Sequence, residues 1–170
     1  MKHFPAQVCL TATLLMAGAA GHAFADSPPK VFTTWEQMYL QVPENLRPAE
    51  AKTMNKVQIE VVNKSLAENV DGKDALLDGY VQDGVITPKG KYKGRPRINC
   101  QDEIVSGVDV LITFNFEDTD AGKAAVAQAD KGEYIQVAGK VGTCYFRIVN
   151  KKMFFIVDVD KCEIKVLGKK

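Results

Sequence analysis

Histidine is nearly missing from this 170-residue chain: its two copies, His3 and His22, both lie within the first 25 positions. The remaining 145 residues therefore have no serine–histidine or cysteine–histidine nucleophile pair, no imidazole general base and no histidine metal ligand. Cysteine is scarce as well. Beyond Cys9 there are Cys100, Cys144 and Cys162, with no C-x-x-C spacing to hold zinc or to work as a redox dithiol. Carboxylates, lysine and thiols are the catalytic groups left, so the expectation is a non-enzyme without metal or cofactor. An excess of one charge is missing too, since 22 basic residues face 21 acidic ones. That excludes a globally basic nucleic-acid coat while leaving room for a local patch.

Long apolar runs are absent except near the N-terminus. There Lys2 precedes an apolar stretch from Val8 to Ala20, and Ala23-Phe24-Ala25 places small residues where a signal peptidase reads. This predicts a secretory signal peptide over 1–25, cleaved after Ala25 and too short to span a bilayer comfortably. Cys9 sits inside the run and not at the cleavage point, which argues against a lipid-anchored start. Cleavage leaves 170 − 25 = 145 residues, enough for one domain core. Lys2 is the only charged residue removed, so 21 basic and 21 acidic residues remain, a net charge of zero. The expected location is the periplasm or the exterior, with no transmembrane anchor in the mature chain. An oxidising compartment lets thiols pair. Three cysteines allow one disulfide in three pairings. If 143–149 and 153–159 form a hairpin about Asn150-Lys151-Lys152, Cys144 faces a residue near 157–159 and not Cys162. Cys100–Cys162 is then the favoured bridge, with Cys144 left free.

Residues 26–32 read as a flexible lead. Thr33 or Thr34 is placed to cap a short helix, with Glu36 or Gln37 as capping-box partner; Trp35, Met38, Tyr39 and Val42 follow at helical spacing, and Pro43 stops it. With this helix, 26–48 forms an N-terminal lead to the main domain, 49–170. A second helix is expected over 49–69, with Met54, Val57, Val61, Val62 and Leu66 as its apolar stripe. From residue 74 the period changes to two. Ala75, Leu77, Gly79 and Val81 share one strand face, and the glycine marks a bend or close backbone approach. A strand near 97–101 and a regular alternation from Val108 to Phe116 come next, then a short helix over 121–130 and a strand through Ile135, Val137, Gly139 and Val141. Residues 143–166 form a hairpin or one long bent strand. Its inward face switches near Asp160, from Phe155, Val157 and Val159 to Cys162, Ile164 and Val166, as a bulge would produce.

Three strands, a helix and two more strands is the order of an OB-fold, a five-stranded Greek-key barrel, here with N-terminal helices (mainly β, α+β overall). The segments GKDALLDGYVQDGVI (72–86), KGEYIQVAGKVG (131–142) and FIVDVDKCEI (155–164) are similar to the tRNA-anticodon-like OB-fold family of small exported bacterial proteins. The resemblance covers 54–166. It implies a helix ahead of the first barrel strand, and it brings no shared catalytic residue and no set ligand. The family often has a cysteine in its third strand, where this chain has Ile112, so its disulfide pattern does not transfer.

The segment Lys89-Gly-Lys91-Tyr-Lys93-Gly-Arg95-Pro-Arg97 carries a basic side chain at every odd position. In an extended chain these five would project from one side, about 6–7 Å apart, suiting the phosphates or sulfates of a polyanion. Pro96 biases Arg95 toward the extended region. A solvated loop, or edge lysines that block aggregation, is the plainer alternative. Tyr80 and Tyr145, the latter near Arg147, are the aromatics placed to stack on a ligand, whereas Phe114, Phe116 and Phe155 belong to the core. The acidic stretch 117–122 lacks the ligand pattern of a calcium loop, and Asp120 or Thr119 reads there as a helix cap. Gly122-Lys123 lacks the flanking residues of a phosphate loop. Asp158 and Asp160 read as surface or bulge residues. The expected function is an exported, non-enzymatic module contacting an anionic partner (nucleic acid, anionic glycan or lipid headgroup). The alternative is a protein-interaction subunit of an envelope assembly, docking through the Trp35 region or a barrel edge.

Overall fold

The computed structural model describes residues 29–47, 54–86, 95–104 and 108–169. The expected signal peptide and Lys89, Lys91 and Lys93 lie outside the described residues.

Strand β1 (Val31–Phe32) leads into helix α1 (Trp35–Tyr39). The Thr34 side chain caps α1 by accepting the Gln37 N–H, and Gln37 Oε1 accepts the Thr33 N–H at 2.8 Å in return. Met38 and Val42 are buried, and Trp35 and Tyr39 pack against the core at half burial. The lead is not wholly loose, because Val31 and Phe32 pair in parallel with Asp74 and Ala75.

Helix α2 (Lys56–Asn69) starts at a reciprocal capping box between Asn55 and Gln58. The cap places the start of the helix at Lys56, seven residues later than the expected 49, because extended Asn55 closes the first turn with its side chain. Its inward stripe is Ile59, Val62 and Leu66, continued by Val70 beyond the helix. Val57 and Val61, expected on that stripe, are 68% and 51% exposed. Consecutive helical residues turn about 100°, so burying Val62 rotates Val61 toward water.

The barrel strands are β2 (Asp74–Val85), β3 (Arg97–Ile104), β4 (Val108–Asn115), β5 (Tyr134–Val149) and β6 (Lys152–Gly168), with α3 (Asp120–Ala127) between β4 and β5. Thr119 caps α3 through the Gly122 N–H. Strand β2 pairs with β5 over Asp74–Tyr80 and with β3 from Val81 to Val85. The ring then runs β2-β3-β4-β6-β5 and back to β2, with β4 and β6 parallel. This is an OB-fold. At the point where β2 changes partner, a Cβ on Gly79 would meet Cys100 Sγ at 2.9 Å, so only glycine lets β2 pass so close.

Strands β5 and β6 are each longer than expected and form one hairpin, turning at Asn150 and Lys151, both with positive φ as a two-residue turn requires. The face switch occurs where expected. Lys161 is left-handed at φ 55, and the β5–β6 register slips between Ala138 and Lys140. Met153, Phe155, Val157 and Val159 point inward before the bulge, and Cys162, Ile164 and Val166 after it.

Beyond Lys140, β5 no longer pairs with β2, and α2 covers the edge left open. Asp71 Oδ1 accepts the Cys144 N–H at 2.9 Å, Asn63 Oδ1 accepts the Phe146 N–H at 2.7 Å, and Asn63 Nδ2 donates to Phe146 O at 3.1 Å. Asn63→Ala strands two backbone groups and is expected to cost about 1–3 kcal/mol. Urea unfolding would show this as a lower midpoint with unchanged far-ultraviolet dichroism; an unchanged midpoint would mean that water satisfies the edge equally well.

Candidate functional site

Strand β2 ends at Val85 and β3 begins at Arg97, and of the basic segment between them Arg95 and Arg97 are described. Its return is fastened where Pro96 O accepts the Phe116 N–H at 2.8 Å. The Arg95 side chain is 65% exposed, and its guanidinium stands 3.5 Å from Asp160 Oδ1. Beside it lies a cleft of about 290 Å³ lined also by Asn115, Glu117, Asp118 and Lys161, so the cleft is mixed in charge. An exposed pair of this kind contributes at most about 1 kcal/mol and is easily exchanged. Arg97 sits half-buried in the ladder between Val85 and Asn115.

Of the eight expected ligand-contacting residues, Lys89, Lys91 and Lys93 lie outside the described residues, and the five described ones fall in separate places. Tyr145 pairs with Ile156, which pairs with Leu111, whereas Arg97 pairs with Asn115 four residues along β4. Four residues of strand amount to roughly 13 Å, so Tyr145 and the exposed Arg147 lie toward the hairpin tip, away from Arg97. Tyr80 belongs to a third place. It is 44% exposed and its ring lies 4.9 Å from that of Tyr134, whose hydroxyl donates to Asp78 Oδ2 at 3.2 Å. Tyr80 thus stands beside a carboxylate, a surrounding that disfavours phosphate. Phe114, Phe116 and Phe155 are core, and Tyr39 packs edge-on to Phe155 at 6.0 Å.

The expected Cys100–Cys162 bridge is not formed, and Cys100, Cys144 and Cys162 are all free thiols. Cys100 shares a barrel row with Ile112, Val157 and Cys144, each on a successive strand. Cys162 lies five residues further along β6, roughly 16 Å of strand, beyond any disulfide span. Cys100 and Cys144 are held apart by the two strands between them.

Burial pushes the Cys100 thiol up to about 12, with Asp83 adding to it, and burial likewise carries Cys162 to about 12. Burial, then Asp71 and Asp158, raises Cys144 well above the ordinary value. All three stay protonated at neutral pH and make poor nucleophiles. Because the folded values are raised, the associated stability is full below the unfolded value near 9.0 and is lost as pH climbs toward 12. Ellman's reagent at pH 8 is therefore expected to label these thiols only in urea, and the urea midpoint to fall from pH 9 upward, less steeply in Cys100→Ala. Prompt labelling of the native protein would contradict this burial.

No protein-family model matches the chain, and no curated protein does. Among solved structures, the chain is similar to the mitochondrial single-stranded DNA binding protein Rim1 of S. cerevisiae, at 8% identity and TM-score 0.40, covering 59% of this chain and 100% of that one. A small single-stranded DNA-binding protein from Streptomyces coelicolor matches at 13% identity and TM-score 0.39, over 57% of this chain and 95% of that one. The OBody AM3L09, bound to hen egg-white lysozyme, matches at 16% identity and TM-score 0.37, over 72% of this chain and 100% of that one. The OB-fold assignment stands on strand order, register and the parallel β4–β6 pair.

Proposed function

We propose that this chain is an exported, non-enzymatic OB-fold module that holds an extended phosphate- or sulfate-bearing partner with the loop between β2 and β3. The observation that carries the proposal is Arg95. It stands exposed near the C-terminal end of the basic row, and its ion-pair partner, Asp160, is a solvated carboxylate that an incoming phosphate can replace. The row Lys89, Lys91 and Lys93 supplies the remaining contacts, and Arg97 anchors the loop to β3. The absence of histidine after position 22 and the burial of the thiols support a binding role over a catalytic one. The apolar run Val8–Ala20 with Ala23 and Ala25 supports export.

A second reading, docking of a partner protein, is favoured by one observation. Val57 and Val61 leave an apolar strip on the outer side of α2.

Anisotropy with a labelled oligothymidylate tests the first reading. Affinity should fall linearly on a log–log salt plot, and Lys91→Ser/Lys93→Ser/Arg95→Ser should reduce the slope by about 2, at roughly 0.7 per lost contact. Asp160→Asn should tighten binding by freeing Arg95. Salt-independent binding, or an unchanged slope in the triple variant, would overturn the proposal. Loss of a captured envelope protein in Val57→Lys/Val61→Lys, with oligonucleotide binding unchanged, would favour docking.

A further inference from the structure

Strand β3 runs on past Cys100 to Ile104 with β4 alone beside it, while β2 turns away to β5 below Val81. Between the parted strands opens a cavity of about 200 Å³. Its floor is the Gly79–Cys100 contact, and its walls carry three aromatic rings, Trp35, Tyr80 and Tyr134, with two carboxylates, Asp78 and Asp102. Among the described residues, none that lines it is basic.

The carboxylates are held in place by the rings and by a neighbouring amide. The Trp35 indole N–H donates to Asp102 Oδ2 at 3.1 Å, the Tyr134 hydroxyl to Asp78 Oδ2, and Gln136 Nε2 to Asp78 Oδ1 at 3.0 Å. The Tyr80 and Tyr134 rings are inclined to each other at 51°, a tilted pair and not a parallel stack. Ring faces attract a cation through their quadrupole, and carboxylates add charge complementarity; an anion finds neither.

We propose that this cavity is a binding site for an organic cation, the guanidinium or ammonium group of a peptide side chain or polyamine. Trp35 and Tyr80 supply the ring faces and Asp78 and Asp102 the counter-charge. Arg95 and Arg97 do not line this cavity, and the proposal does not depend on the reading of the basic row.

The chain contains a single tryptophan, Trp35, so intrinsic tryptophan fluorescence reports on this cavity alone. Titration of the folded protein at constant ionic strength with N-acetyl-arginine amide should give a saturable change, and the neutral isostere N-acetyl-citrulline amide should bind at least ten-fold more weakly. Asp78→Asn/Asp102→Asn and, separately, Tyr80→Ala should each weaken arginine-amide binding at least five-fold. Tyr80 is exposed, so its variant tests the site even if the double variant fails to fold. Putrescine run in parallel decides the source, as tighter binding than arginine amide points to a polyamine and weaker binding to a side chain. A non-saturating response equal for arginine and citrulline amides, or full affinity in Tyr80→Ala, would overturn the proposal.

Discussion

Strand β2 must satisfy two partners in succession, and the barrel closes only because it bends between them. Its first half lies against β5 and its second against β3, with Gly79 at the handover pressed on Cys100. A side chain there would push β3 outward and open the ring. The same divergence that closes the barrel also parts β2 from β3 beyond Val81, and the aromatic and acidic cavity beside Trp35 is the space this leaves. Closure and cavity thus have one cause.

A second consequence concerns edges. The long β5–β6 hairpin projects past the reach of β2, leaving backbone donors and acceptors on β5 without a ladder. Asn63 and Asp71 on and just after α2 meet them. Helix α2 is therefore part of the closure of the sheet and not an ornament on it, and Val62 and Leu66 bury their side chains in the same core. An edge covered in this way is withheld from pairing with another chain.

Charge is divided between separate parts of the surface. Just before β3, Arg95 faces Asp160 in a solvated pair; at the parted strands, Asp78 and Asp102 stand among aromatic rings with no basic residue among the described lining. A net charge near zero conceals this division. Tyr80, whose strand position alone fits either place, lines the acidic one.

Much of the barrel was legible along the chain because its signals are local. The alternation from Val108 to Phe116, the glycine of β2, the caps at Thr34 and Thr119 and the switch of inward face near Asp160 each depend on residues a few positions apart. The expectations that failed concern contacts across the fold. Val57 and Val61 fit a helical stripe as well as Ile59 does, and only the placement of α2 against Phe146 chose between them. Val31 and Phe32 carry no strand signal of their own and are ordered by β2. The hairpin register set Cys144 opposite Val157, as expected, and left Cys100–Cys162 as the favoured pair, but that local register does not report the distance of Cys100 around the barrel. The amino-acid order alone determined which residues alternate, bend and cap, since neighbouring dihedrals and side-chain periods decide those. Only the tertiary structure decided which thiols stay apart and which aromatics gather with carboxylates, because both depend on register between strands distant in sequence.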